Sequence, residues 1–214
     1  MPLQHSTRYI CIHCQNMDNQ LKDHIRNTLN MKIPEEELDR FVGLFFHKEV
    51  DKKHLLAMAG KRVGYLNFIV KGSAYAYYTN EKGEDYVMQF ALEGYWITAM
   101  YSFFSGNPSF LSVETLEPTE MLVLSREKYE QAMNEFSFAD RYFRILLQNA
   151  FVAQQYRLAK TNSEEADQRY LEFSRLYPHF VQRIPQYLIA SYLGIKPQSL
   201  SRIRQKIAAS ARKK

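Results

Sequence analysis

Residues 186–205 read QYLIASYLGIKPQSLSRIRQ, and this stretch decides the fold of the carboxyl-terminal part. Helices fit at Pro185 to Leu193 and at Pro197 to about Ala208. Gly194 ends the first, supplying the positive φ of a tight turn. Ala190 is small where two steeply crossed helices approach closely, and Pro197 sits at the first position of the second helix. Ile189, Leu193, Ile195, Leu200 and Ile203 are the apolar side chains such a pair must bury. This is a helix-turn-helix pattern. Its second helix leaves Gln198, Ser199, Ser201, Arg202 and Gln205 outward. Arg and Gln can read base edges bidentately, whereas Lys196, Arg204 and Lys206 suit phosphates. From Lys196 onward there are seven Lys/Arg and no acidic residue.

The charge of the rest of the chain sharpens this reading. The 214 residues carry a net charge of +5. Residues 1–167 hold 18 Lys/Arg against 22 Asp/Glu, and residues 168–214 hold 10 against 1. A weakly acidic body thus carries a strongly basic end, as expected of an attached nucleic-acid contact region. Hydrophobic residues make up 46% and charged residues 24%, the composition of an ordinary globular chain. No apolar run is long enough for a membrane span, and the start lacks the basic and apolar regions of a secretory signal. Two cysteines fit a reduced, cytoplasmic protein.

Upstream, the hydrophobic period is that of strands. Residues 63–70, 73–79, 85–92, 111–116 and 120–124 alternate or run β-branched and aromatic, with turn signals at Asn80–Gly83 and Glu117-Pro118. They predict an antiparallel β-roll or jelly roll. Residues 21–46 read as helix, reopened at Pro34 with Glu35, Glu36 and Glu37 on its positive end. Ser125 is a candidate N-cap. A long helix follows over about 138–160, with Phe138, Tyr142, Ile145, Asn149, Val152, Tyr156 and Ala159 at alternating 4,3 spacing. The stripe has two readings: a seam with a second copy, in which Asn149 sets register, or packing on the chain's own roll. Thr161-Asn162-Ser163 breaks that helix and caps the next.

The fold class is therefore α+β. Residues 1–16 are a disordered extension, and Met17 is a natural start. A β-roll sensor domain (17–137), a dimerisation helix and hinge (138–162) and an all-α helix-turn-helix domain (163–214) follow. Too few residues follow Ile207 for a full β-hairpin wing.

This order resembles the Crp/Fnr superfamily of bacterial transcription regulators over about residues 18–208. Gly60, Tyr65–Gly72, Gly94, Ser105-Gly106-Asn107-Pro108-Ser109 and Ile184–Gly194 carry the likeness, and the run from Pro185 to Gly194 is similar to a Bacteroidetes-type subset. The resemblance implies a homodimer that binds a palindromic operator on double-stranded DNA, contacts RNA polymerase and carries a sensor domain like a cyclic-nucleotide-binding domain. Nucleotide-binding members hold the cyclic phosphate with an Arg in a short cassette and the ribose with a Glu after its first Gly. Here Tyr95 and Trp96 follow Gly94, and Ser109 stands where the Arg is expected. Residues 83–125 hold no Lys or Arg and six acidic residues. A phosphate there would face like charges without a partner. The expected effector is not cyclic AMP or cyclic GMP. Tyr95, Trp96, Phe103, Phe104 and Ser109 are the candidate lining of an effector pocket, and Tyr75, Tyr77 and Tyr78 either join it or form roll core.

Other chemistry is poorly supported. Cys11 and Cys14 fall short of an iron–sulfur or zinc ligand set, so no metal and no cofactor is expected. No phosphate loop, dinucleotide fingerprint or nucleophile elbow occurs. His47 and His54 lack the partners that a jelly-roll metal enzyme needs. The sequence thus predicts a DNA-reading regulator and not an enzyme. The competing reading is a small-molecule-sensing or protein-interaction module that does not read DNA sequence.

Overall fold

The computed structural model describes residues 12–211. Two helices come first, α1 (Ile12–Leu29) and α2 (Glu35–Val42). Eight strands follow: β1 (Phe46–Val50), β2 (Leu55–Ala57), β3 (Tyr65–Lys71), β4 (Ala74–Thr79), β5 (Asp85–Ala91), β6 (Trp96–Ile97), β7 (Ser112–Thr115) and β8 (Thr119–Ser125). The short helix α3 (Met100–Ser105) lies between β6 and β7. After the strands come α4 (Arg126–Glu135), α5 (Ala139–Ser163), α6 (Ala166–Leu176), α7 (Pro178–Arg183), α8 (Gln186–Tyr192) and α9 (Pro197–Ala211). The strands form two four-stranded antiparallel sheets, ordered β1-β8-β3-β6 and β2-β7-β4-β5. This is the α+β jelly roll that the strand spacing predicts.

Three apolar cores stack through the molecule, and the strand period assigns residues to them. In β3, Leu66, Phe68 and Val70 face the helices α1, α2, α4 and α5, whereas Ile69 faces the space between the sheets. Both faces of β3 are covered, so Leu66 to Val70 are all buried. In β4, Ala74 and Ala76 point between the sheets, and Tyr75 and Tyr77 point the other way, against the carboxyl-terminal helices. Small residues inside and aromatics outside explain the small–aromatic alternation there. Tyr75 and Tyr77 are therefore part of the joint between roll and helical module, stacked on each other at 4.9 Å.

Helix boundaries depart from the sequence reading in three places. The helix expected over 21–46 does reopen after Pro34, but it stops at Val42, and Phe46 opens β1 by pairing with Val123. The first helix starts at Ile12, with Met17 buried, so part of the expected extension is helical; Met1 to Cys11 lie outside the described residues. The break expected at Thr161–Ser163 comes later. Thr161 and Ser163 donate their hydroxyls to the carbonyls of Arg157 and Ala159, four residues back in their own helix, so they do not cap the next one, which opens after Glu165 without a side-chain cap. Ser125 does cap α4, accepting from the Lys128 N–H.

The long helix is buried in its first turns and open in its later ones. Phe138 and Tyr142 are buried in the chain's own core, and Ile145 packs against it. Tyr142 accepts from Trp96 Nε1 at 3.0 Å and shares a 2.8 Å hydrogen bond with His24 Nδ1, tying α5 to β6 and α1. Beyond Leu146 the helix leaves the core. Phe151, Val152 and Leu158 are 64%, 65% and 58% exposed, with Leu147 and Tyr156 also open.

The β3–β4 turn needs glycine. Gly72 has φ +102°, and a Cβ there would lie 2.6 Å from Thr119 Oγ1 and 2.7 Å from the Pro118 carbonyl oxygen. Gly72→Ala is expected to lower unfolding free energy by about 2–3 kcal/mol through strain and overlap. Urea denaturation checks this, and an unchanged midpoint would contradict it.

Candidate nucleic-acid interface

The helices α8 and α9 are held at their crossing by residues of the apolar pattern. Leu188, Ile189, Ala190, Leu193, Ile195 and Leu200 are buried, with Ile203 and Ile207 half-buried against them. Gly194 adopts φ +64°, and the Ile195 N–H donates to the Ala190 carbonyl across the turn. Ala190 is fully buried, so a larger side chain there would push the two helices apart.

Burying Leu200, Ile203 and Ile207 on one side of α9 turns Gln198, Ser201, Arg202 and Gln205 to the opposite side. Ser199 and Lys206 flank that face on one edge and Arg204 on the other. All of these, and Lys196 before the helix, are exposed. Arg202 pairs with no carboxylate among the described residues. The eight residues singled out from the sequence thus lie on one open, basic surface.

Four residues outside the motif's reading positions complete it. Arg169 Nε donates to the Leu193 carbonyl at 3.0 Å, and its Nη2 reaches that of Gly194, so a guanidinium covers the open carbonyls at the end of α8. Arg157 donates to the Tyr192 carbonyl and lies 4.5 Å from the centre of the Tyr192 ring. From the sequence these arginines show only as net charge. Gln186 and Tyr187 begin α8 and, with Arg204 and Gln205, border a groove of about 440 Å³ between α8 and α9. Tyr187 is 60% exposed.

The module is seated on the roll. Phe90 of β5 packs on Phe180 and Tyr192. The Val87 N–H donates to Ser191 Oγ, which in turn donates to the Asp85 carbonyl. Arg183 binds the carboxylates of Glu93 and Glu117. Burial pushes the Glu93 carboxyl up, but Arg183 and the Gly72 N–H outweigh it and hold it below its ordinary value.

The candidate effector residues do not face a common space. Tyr95 turns to Phe180 of the helical module. Trp96 packs among Phe45, Phe68 and Phe143 on the helical side of the roll. Phe103 and Phe104 meet Tyr129, and Phe104 is exposed. Ser109 is buried, with its hydroxyl donating to the Leu111 carbonyl and accepting from the Leu111 N–H. The charge picture also changes. Glu93 and Glu117 are paired with Arg183, and Glu120 with Lys71. Arg126, one residue beyond the segment without basic residues, donates to the Phe104 carbonyl, and Lys61 pairs its backbone with Ser109. A cation from outside the segment, Arg126, therefore borders it, which spacing along the chain did not show. Among the described residues no cluster of three or more His, Cys, Asp or Glu could hold a metal ion, and no helix is long and apolar enough to cross a membrane. Cys14 lies in α1, and Cys11 is outside the described residues.

Residues 47–136 match the cyclic nucleotide-binding domain family. FixK2 from Bradyrhizobium japonicum superposes with a TM-score of 0.66 at 17% identity, over 78% of this chain and 86% of that one. CLP, the c-di-GMP responsive global regulator of Xanthomonas campestris, gives 0.62 at 15%, over 83% and 93%. A protein from Eubacterium rectale assigned to the crp/fnr family of transcriptional regulators gives 0.63 at 13%, over 83% and 85%. The chain has the Crp/Fnr fold. No curated protein matches its sequence. In that fold, β1 to α4 contain the roll that matches the cyclic nucleotide-binding domain family, α5 is the long helix that follows it, and α8 and α9 are the helix pair joined at Gly194.

Proposed function

We propose that this chain is a sequence-specific, DNA-binding transcription regulator that acts in the cytoplasm, as a homodimer on a palindromic operator, through binding and not catalysis. The observation that carries this is the open face of α9, where Gln198, Ser201, Arg202 and Gln205 are exposed on a helix that carries no acidic residue. A helix-turn-helix lays the amino-terminal residues of its second helix on base edges. Lys196, Ser199, Arg204 and Lys206 flank that face, where phosphates run. Two reading heads fit a two-fold operator, and the exposed apolar residues of α5 supply the two-fold contact. RNA polymerase is the further partner of a regulator so placed.

Mobility shift followed by selection of sites from random DNA tests this reading. A two-fold symmetric consensus is expected. Retention of DNA without any consensus would favour the module that does not read sequence.

Two further outcomes follow. Deleting residues 210–214 removes Arg212, Lys213 and Lys214. It is expected to weaken all DNA sequences alike and to flatten the salt dependence by roughly one unit of slope for each phosphate no longer neutralised. Binding measured between low and moderate salt checks it; a changed consensus would contradict it. Cyclic AMP and cyclic GMP are expected not to bind, because Ser109 spends its hydroxyl on its own loop and Arg126, the cation beside the cassette, is engaged by the Phe104 carbonyl. Titration calorimetry showing micromolar binding that Ser109→Asp abolishes would contradict that expectation.

A further inference from the structure

Between the turn that follows β5 and the junction of α6 with α7 lies a cleft of about 280 Å³. Phe180 forms its base. The rings of Tyr95 and Tyr177 stand nearly perpendicular to Phe180, at 80° and 82°, with centroids 5.3 Å and 5.8 Å away. Tyr95 comes from the roll and Tyr177 from the helical module, so the two domains build this three-ring box together. It is not closed: Tyr95 stays 41% and Tyr177 36% exposed, with Leu176 open beside them.

We propose that this cleft binds a small organic cation bearing an alkylated ammonium group. Ring faces attract such a cation through their quadrupoles, most strongly when several rings surround it. At the polar end Glu93 and Arg183 line the cleft beside His179, and the guanidinium is already engaged by Glu93, by Glu117 outside the lining and by the Gly72 carbonyl, so it is not free to hold an anion. The volume lies just below the roughly 300–1,000 Å³ of sites for drug-sized ligands, so the guest is small. A ligand touching Tyr95 and Tyr177 at once favours the seated arrangement of the two domains over a separated one.

This inference goes beyond the DNA-binding reading and does not rest on it. Choline and 3,3-dimethyl-1-butanol have nearly the same shape and differ in charge, so titrating the full chain with each tests the charge requirement. Choline is expected to bind saturably and about tenfold or more tightly than the alcohol. It should also raise the unfolding temperature. Tyr177→Leu keeps an apolar wall without a π face and is expected to weaken choline about tenfold while leaving DNA binding intact. Should Tyr177→Leu lose its fold by circular dichroism, Glu93→Gln serves instead: it removes one negative charge and is expected to weaken choline but not the alcohol. Absence of saturable choline binding, equal affinity for the alcohol, or choline affinity unmoved by the folded variant would each overturn the proposal. DNA binding by the same preparations shows separately whether the regulator reading stands.

Discussion

Phe151→Glu combined with Leu158→Glu is expected to convert the protein to monomers and to abolish high-affinity operator binding. Both side chains lie on α5 beyond the point where the helix leaves the core, and both are more than half exposed. They are seven residues apart, two helical turns, and so share one face with Leu147, four residues before Phe151. Fully burying such side chains contributes roughly 1.5–3 kcal/mol each, and a two-fold contact counts every one twice. The double variant would instead place four carboxylates in one seam. A monomer engages one half-site at a time and forfeits the effective concentration that links the two heads, a reduction of about 10²–10⁴ in affinity. Sedimentation at micromolar protein, with circular dichroism to confirm the fold, reads the first effect, and mobility shift reads the second. A folded double variant that stays dimeric would place the interface elsewhere. Ile145→Glu is the poorer probe, because Ile145 packs on the chain's own core and its replacement would confuse unfolding with dissociation.

That distinction shows where a periodic stripe stops being informative. The 4,3 spacing from Phe138 to Ala159 is continuous in the sequence, yet its first turns are buried in the chain's own core, and its last turns stay open apart from Tyr156, which donates its hydroxyl to Glu172 of α6. Spacing reports which side of a helix is apolar and not what lies opposite. Leu147, Phe151 and Leu158 fall on another side of α5 from the 4,3 stripe, so the spacing does not single them out. The strands follow the same logic. β3, β4, β5, β7 and β8 stand out by their β-branched and aromatic runs. β1, β2 and β6 do not, being five, three and two residues long; β1 mixes His47, Lys48 and Glu49 into its pairing with β8.

The two candidate sites differ in legibility for a related reason. The helix-turn-helix is local: Ala190, Gly194, Pro197 and the exposed face of α9 lie within one stretch of chain, so spacing alone can assemble them. The effector residues are neighbours in sequence, and the roll distributes neighbours to opposite sides. Tyr95 and Trp96 are adjacent, yet one meets Phe180 and the other Tyr142. Glu93 finds its partner ninety positions away in Arg183. Charge compensation of that kind is visible only once the chain has folded.

Arg202→Ala is expected to weaken operator binding by roughly 1–3 kcal/mol per half-site and to relax preference at one base pair. Arg202 sits in the first half of α9, on the side opposite Leu200 and Ile203, and no carboxylate among the described residues holds it back. Its guanidinium presents a planar pair of donors, which matches the O6 and N7 acceptors of guanine in the major groove. Gln198, one turn earlier on the same face, can pair likewise with adenine, so the two should specify adjacent positions. Arg204 makes an internal control. It carries the same charge two residues on, but it turns toward Tyr187 and the groove beside α8. Arg204→Ala should therefore lower affinity for all sequences and reduce the salt slope by about one, with the consensus unchanged. Selecting sites from random DNA with wild type, Arg202→Ala and Arg204→Ala separates the roles. If Arg202→Ala returned the wild-type consensus at merely lower affinity, Arg202 would be a phosphate contact, and base reading would fall to Gln198, Ser201 and Gln205.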